Sequence, residues 1–233
     1  MDINPLESLL FYVVFLFSVT LHEAAHAWAA LRLGDATAYH GGQVTLDPRP
    51  HIRREPFGMV LLPLLSVVTI GWPFGFASAP YDPRWAMRHP KRAAWMALAG
   101  PASNMLLCLI SGIAIFALLG AGVFGAPDQI GFAHLVDPLA DGLWVGVGFF
   151  LSAMFSLNLL LAVFNLLPFP PLDGSGAVPL LLNDAQTAKY QQVMWGRPGL
   201  AWIGILLASY AFDFVFNPVW TLAINILLPG SYG

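Results

Sequence analysis

The sequence predicts an all-α polytopic membrane protein of about four transmembrane helices, with a re-entrant or interfacial segment and a short membrane-associated β element. Three observations carry this. Hydrophobic residues make up 58% of the 233 and charged residues only 10%, whereas soluble domains carry roughly 25% charge; mean hydropathy is +0.69. The apolar residues gather into five runs, most of them long enough for the ~20 residues that a bilayer crossing requires. All 10 basic residues fall in a few clusters, so that residues 1–31, 93–188 and 198–233 contain none.

The first run, Leu6 to Leu33, holds only Glu7, Glu23 and Arg32 as charges. It lacks the basic n-region of a cleavable signal peptide, so a retained transmembrane helix is expected. The polar stretch Gly34 to Glu55 follows. Within it Gln43-Val44-Thr45-Leu46, after Gly41-Gly42, reads as a short strand near the membrane surface. The second run, Phe57 to Trp72, is short and contains Pro63 and Gly71. The third spans Ala93 to Leu119. The fourth, Leu139 to Leu167, ends in Pro168-Phe169-Pro170-Pro171, which has few N–H groups and is expected to form an extended, rigid wall. The last, Gly199 to Leu228, is interrupted at Asn217-Pro218 and reads as one span plus an interfacial turn. With no internal repeat and no low-complexity linker, residues 1–233 are expected to form a single membrane domain.

The chemistry concentrates in His22-Glu23-Ala24-Ala25-His26, inside the first run. Residues four apart share a helix face, so both imidazoles can reach one Zn²⁺. Glu23 is then placed to act as general base on a metal-bound water. Ionisable groups at membrane depth are costly and for that reason point to function. The alternative is a helix with two hydrogen-bonded histidines and a stray glutamate. Two histidines leave a catalytic zinc short of a third protein ligand. Asp173, in Leu172-Asp173-Gly174, is the best candidate, although an aspartate ending a turn before glycine is common.

Two constraints then fix a topology. Basic residues mark cytoplasmic segments, so Arg53 and Arg92 must lie on one side. The simplest arrangement that satisfies this has the second run dip in and return rather than cross, though the sequence alone leaves a crossing open. For Asp173 to meet His22 and His26, the first and fourth runs must be parallel with one crossing between them. Both arguments put the N-terminus outside and the metal site near the cytoplasmic face.

Other readings are weaker. A net charge of −3 and the lack of a basic, aromatic-interleaved stripe argue against nucleic acid. The lone Cys108 sits in an apolar run, which disfavours an activated thiol. His40, His51, His89 and His134 lack helical partners at i, i+4 and are expected at surfaces or interfaces, without a ligand role. Trp72, Trp85, Trp95, Trp144 and Trp220 sit near segment ends, as interfacial anchors do. Asp213 is a carboxylate in the last run with no partner that the sequence names.

The His22-Glu23-xx-His26 helix, Gly100-Pro101-Ala102-Ser103-Asn104 and Asn165-Leu166-Leu167-Pro168-Phe169-Pro170-Pro171-Leu172-Asp173-Gly174 together resemble the site-2 protease family. These are intramembrane zinc metalloproteases that cut transmembrane segments. Gly41 to Pro48, His51-Ile52, Gly71-Trp72 and Pro80 to Pro83 are similar to its compact members, which lack PDZ-like or nucleotide-binding appendages. The resemblance implies Zn²⁺ on His22, His26 and Asp173, with Glu23 as base. It also implies single-span membrane proteins as substrates and a multi-pass location in the plasma membrane. Asn165 then reads as a donor to substrate or oxyanion, or as a helix cap. Asn104 reads as an active-site contact or a helix-packing amide. The Gln43–Leu46 strand is expected to offer its edge to an unwound substrate. Departures lie outside the metal motifs: Gln43 stands where the family often has arginine, Asp47 where it often has asparagine, and Gly75 to Ala79 lacks the lysine and valines seen there. Competing functions are a silent client-holding protein, an ion transporter, for which internal repeats are missing, and a zinc peptidase acting on peptides or lipoprotein remnants. Nothing in the residues sets the oligomeric state.

Overall fold

Aspartate and proline punctuate the chain. The tripeptide Asp-Pro-Arg occurs at 47–49 and again at 82–84, and each copy opens a helix. The aspartate carboxylate accepts a hydrogen bond from the arginine N–H two residues on, at 3.0 and 2.8 Å. The proline takes the first helical position, where its missing N–H costs nothing. The computed structural model describes residues 5–197 and 199–230. Its helices are α1 (Pro5–Leu33), α2 (Thr37–His40), α3 (Pro48–Arg54), α4 (Leu62–Ile70), α5 (Pro83–Arg88), α6 (Pro90–Gly120), α7 (Leu143–Asn165), α8 (Asp173–Ala177), α9 (Asp184–Gly196) and α10 (Leu200–Leu227). Among the described residues α1, α6, α7 and α10 are long and apolar enough to cross a bilayer. This is a multi-pass, all-α membrane protein.

Contacts between ends give the directions. Gly100, near the start of α6, lies against His22 and His26, near the end of α1, so these helices are antiparallel. Phe132, in the α6–α7 loop, stacks on Phe11 near the start of α1, with ring centroids 6.2 Å apart. α7 therefore runs parallel to α1, and the chain after it returns to the histidine end, as the topology argument predicts. Phe11, Val14, Phe15, Met59 and Leu157 fill the α1–α7 core. Ile115, Phe155, Phe216 and Ile224 fill a second core between α6, α7 and α10.

The second run behaves as a re-entrant segment. A five-residue π-helical turn, Phe57–Leu61, runs into the nine-residue α4, about 20 Å at 1.5 Å per residue, short of the ~30 Å hydrocarbon core. Trp72 reaches Phe132 at the far end of the bundle, at 6.0 Å between ring centroids. The chain then returns without helix or strand over residues 73–82. Phe76 N–H donates to the Gly58 carbonyl, and Ser78 Oγ donates to Glu55 Oε1 at 2.6 Å, closing the excursion beside its starting point.

Three sequence expectations are corrected. Gln43–Leu46 is a series of bends, not a strand. Gly42 takes a left-handed φ of 72°, Thr45 Oγ1 accepts from Asp47 N–H, and four residues held in turn geometry find no partner strand. The β pairing observed is Phe124–Gly125 with Asp137–Pro138, at the opposite end of the bundle. The last run is one continuous helix with Pro218 inside it. Breaking a helix in hydrocarbon would strand more backbone groups than one proline does. His51 is buried, with Nε2 donating to the Thr45 carbonyl at 3.1 Å; its place on α3, packed against α1, removes it from the surface.

Asp35 clips the returning segment to α1. Its Oδ1 accepts from Thr37 N–H and Oγ1 at 2.9 and 2.6 Å, and its Oδ2 accepts from Asp82 N–H at 2.8 Å. Burial pushes this carboxyl up, but the hydrogen bonds from Thr37 and Asp82 outweigh it and hold the group below its ordinary value of 3.8. A lowered folded value adds stability that is complete above the ordinary value and is lost as pH falls through the folded one. Asp35→Asn is expected to lower the melting temperature in detergent at pH 7, by an effect of about 1–3 kcal/mol. The gap from wild type should close on acidification below 3.8. A gap independent of pH would show that the charge contributes nothing.

Candidate metal centre

Three side chains converge at the cytoplasm-predicted end of α1. His22 and His26 are one turn apart, with ring centroids 4.6 Å apart and planes nearly perpendicular. Their Nε2 atoms lie 3.0 Å from each other, and 3.0 and 3.2 Å from Asp173 Oδ2. Asp173 begins α8, and Gly174 makes that approach possible. A Cβ at Gly174 would collide with the Leu166 and Leu167 carbonyls at the end of α7.

The other ring nitrogens explain why these atoms face one another. His22 Nδ1 donates to Asn104 Oδ1 at 2.5 Å, and His26 Nδ1 donates to the Met96 carbonyl at 2.8 Å. Each neutral ring therefore carries its hydrogen at Nδ1, and both Nε2 lone pairs point with Asp173 Oδ2 into one space. Three electron-pair donors with no hydrogen between them repel unless a cation sits among them. A tetrahedral zinc with ligands at about 2.0 Å holds two nitrogens about 3.3 Å apart, close to the 3.0 Å found. Two imidazoles and one carboxylate are also a donor set of catalytic zinc sites, with a position left open. Gly100 keeps the space clear, because a Cβ there would lie 2.5 Å from His22 Nε2 and closer still to His26 Nε2. The residues present fit zinc.

Glu23 is buried, at 6% exposure, and lines a cavity of about 580 Å³ together with His26, Ala77, Ser78, Pro171 and Asp173. Its carboxylate accepts no hydrogen bond among the described residues. Pro168 to Pro171 forms a turn rather than an extended wall, with Leu172 N–H donating to the Phe169 carbonyl. Pro170 and Pro171 still wall the cavity.

The two asparagines lie away from that space. Asn165 Nδ2 donates to the Leu161 carbonyl of its own helix at 3.0 Å, and Asn165 does not line the cavity. Asn104 is fully buried behind His22. Its Nδ2 donates to Asn158 Oδ1 at 2.8 Å, and Asn158 in turn donates to Ser18 Oγ at 2.9 Å. Of the two readings open for Asn104, an active-site contact or a helix-packing amide, these bonds match the packing amide, which here also orients His22. The sequence signal for the rest of that network was available: Ser18 precedes His22 by one turn, and Asn158 is an amide inside an apolar span. Met96 contributes only its backbone and leaves no signature. Asn104→Ala is expected to weaken zinc retention about 10–100-fold, read by chelator competition; unchanged retention would remove the orienting role.

The family model described as peptidase family M50 matches residues 10–203. The chain belongs to peptidase family M50. Among curated relatives, "Putative zinc metalloprotease YwhC" of Bacillus subtilis (strain 168) is 33% identical over 189 residues, covering 81% of this chain and 76% of that protein. "Putative zinc metalloprotease Rip2" of Mycobacterium tuberculosis (strain H37Rv) is 35% identical over 176 residues, covering 74% of this chain and 58% of that protein. The Rip2 of Mycolicibacterium smegmatis is 32% identical over 183 residues, covering 78% and 61%. No solved structure matches the chain. This M50 member is thus a zinc-dependent metalloprotease built on membrane-crossing helices, with His22, His26 and Asp173 as the group able to hold the metal.

Proposed function

We propose that this M50 peptidase hydrolyses peptide bonds within or beside transmembrane segments of single-span membrane proteins. Residues 1–233 act as one domain in the plasma membrane, and the site faces the cytoplasm. One observation carries the reading: both histidines stand on a helix long enough to cross a bilayer, and Glu23 beside them lines a cavity at the same end. The basic residues of α3, α5, α9 and the start of α6 gather at that end, which supports a cytoplasmic orientation. Lipid is the second partner, and nucleic acid is not one.

Zinc bound at this centre supplies a Lewis acid for the scissile carbonyl and a water whose pKa is brought toward about 7. Glu23, lining the cavity beside the ligand histidines, would serve as the general base toward a water held there and as the proton donor to the departing amine. The Asn104 and Met96 acceptors fix the histidine tautomers through the cycle. A substrate helix hides its carbonyls in its own hydrogen bonds, so it must unwind before it reacts. The stretch Ala77–Ala79, in neither helix nor strand, is suited to receive it. These residues line the cavity, and their N–H groups have no partner among the described residues. A peptide can add there as a strand, the role first expected of Gln43–Leu46. Ala77→Pro removes one such N–H and is expected to cut cleavage about tenfold, one hydrogen bond at roughly 1.4 kcal/mol, with zinc content unchanged. Undiminished cleavage would remove the strand-addition step.

The test of the function is cleavage of a panel of single-span proteins in proteoliposomes, with the cut mapped by mass spectrometry. The expected result is a cut inside or next to the span, abolished by chelation and restored by zinc. Equal or better cleavage of soluble peptides would favour a peptidase acting on released fragments. No cleavage by fully zinc-loaded protein would overturn the reading.

A further inference from the structure

Ser78 stands between Ala77 and Ala79 in the wall of the cavity, and its polar groups are engaged where theirs are not. The Ser78 hydroxyl donates to Glu55 Oε1 at 2.6 Å and accepts from Arg54 Nε at 3.1 Å. Its carbonyl accepts a longer bond, 3.4 Å, from Nε2 of the buried Gln43. The backbone N–H and C=O groups of Ala77 and Ala79 have no hydrogen-bond partner among the described residues.

The three residues that hold Ser78 belong to a frame built without substrate. Gln43 N–H donates to the Ala38 carbonyl at 2.9 Å, and Glu55 N–H donates to the His51 carbonyl at 3.0 Å. Arg54 ends α3, whose His51 is buried, and α3 packs on α1, the helix that carries His22 and His26. The place of Ser78 relative to the metal-binding atoms is therefore set through α3 and α1. It does not depend on the re-entrant excursion from Glu55 to Ser78, 23 residues along the chain.

A strand pairs with its neighbour through every second residue, whose N–H and C=O both turn to that neighbour. With the Ser78 carbonyl held by Gln43, the edge left to a peptide is that of Ala77 and Ala79. Its position matters as much as its pairing. A shift of about 3.3 Å along the strand, the rise of one residue, brings the adjacent peptide bond of a paired substrate to the metal.

We propose that Ser78 anchors the substrate-binding edge, and that Glu55, Arg54 and Gln43 are positioning residues which, by holding it, select the peptide bond that is cut. This rests on strand addition at Ala77–Ala79. The test uses a single-span substrate that the wild type cuts at one bond, in proteoliposomes, with the cut mapped by mass spectrometry. Ser78→Ala and Glu55→Ala should keep a full complement of zinc, raise KM about tenfold with kcat little changed, and spread the cut to the bonds on either side. Ser78→Thr and Glu55→Gln, which keep a hydroxyl and an acceptor oxygen, should cut at the wild-type bond. Arg54→Ala changes an exposed residue, makes no demand on folding, and should spread the cut to a smaller extent. A cut that stays on one bond in Ser78→Ala, Glu55→Ala and Arg54→Ala would overturn the proposal. So would a loss carried by kcat alone at an unmoved bond, which is what a merely loosened fold produces. Ala77→Pro separates the two levels. Slower cleavage by Ala77→Pro with an unmoved cut in Ser78→Ala rejects the anchor alone, whereas undiminished cleavage by Ala77→Pro rejects strand addition and the anchor together.

Discussion

Glu23→Gln is expected to retain a full complement of zinc and to lose cleavage by about 10³-fold, the middle of the range for removing a general base. The substitution preserves shape in a position only 6% exposed, so the fold has no reason to change. Glu23 is also outside the group of atoms able to hold the metal, His22, His26 and Asp173. Loss of activity with zinc retained therefore separates proton transfer from metal binding. Zinc analysis and cleavage rates on one preparation decide the matter. Activity within tenfold of wild type would mean that another group, or solvent, takes the proton.

Gly100→Ala should act in the opposite sense, emptying the metal site while leaving the helix sound. Alanine is the better helix former by about 1 kcal/mol, so α6 itself gains. The added Cβ, however, lies 2.5 Å from His22 Nε2 and nearer still to His26 Nε2, inside the space that an ion shared by both would fill. The expected outcome is zinc content below about a tenth of wild type and no measurable cleavage, from an affinity lowered by at least one decade, about 1.4 kcal/mol. The circular dichroism spectrum and detergent-phase melting should stay close to wild type. Stoichiometric zinc in this variant would show that the ion does not lie where the three ligand atoms converge.

The parts of this structure that the sequence made legible are those settled over short distances or by the solvent. Four spans follow from run length in hydrocarbon, and the shared face of His22 and His26 follows from one helical turn. Their parallel relation to the segment carrying Asp173 follows from counting crossings. What stayed hidden depends on neighbours far away in the chain. Four residues cannot become a strand at Gln43–Leu46 when no second strand lies beside them. Pro218 breaks a helix in water more readily than in a bilayer, where the alternative is worse. The direction of the Asn104 carboxamide depends on Asn158, 54 residues on. Met96 acts through a carbonyl that every residue type possesses.

The distance along the chain between the metal-binding atoms has a temporal consequence. His22 and His26 leave the ribosome early, whereas Asp173 follows 151 residues after His22. At roughly 5–20 residues per second, that interval is on the order of ten to thirty seconds. Throughout it the histidine helix sits in the membrane with an incomplete ligand set. Lys91 then fastens the late segment to α6, its Nζ donating to the Pro179 and Leu182 carbonyls at 2.8 and 2.6 Å. The set of metal-binding atoms is thus complete only once the second half of the chain has docked on the first.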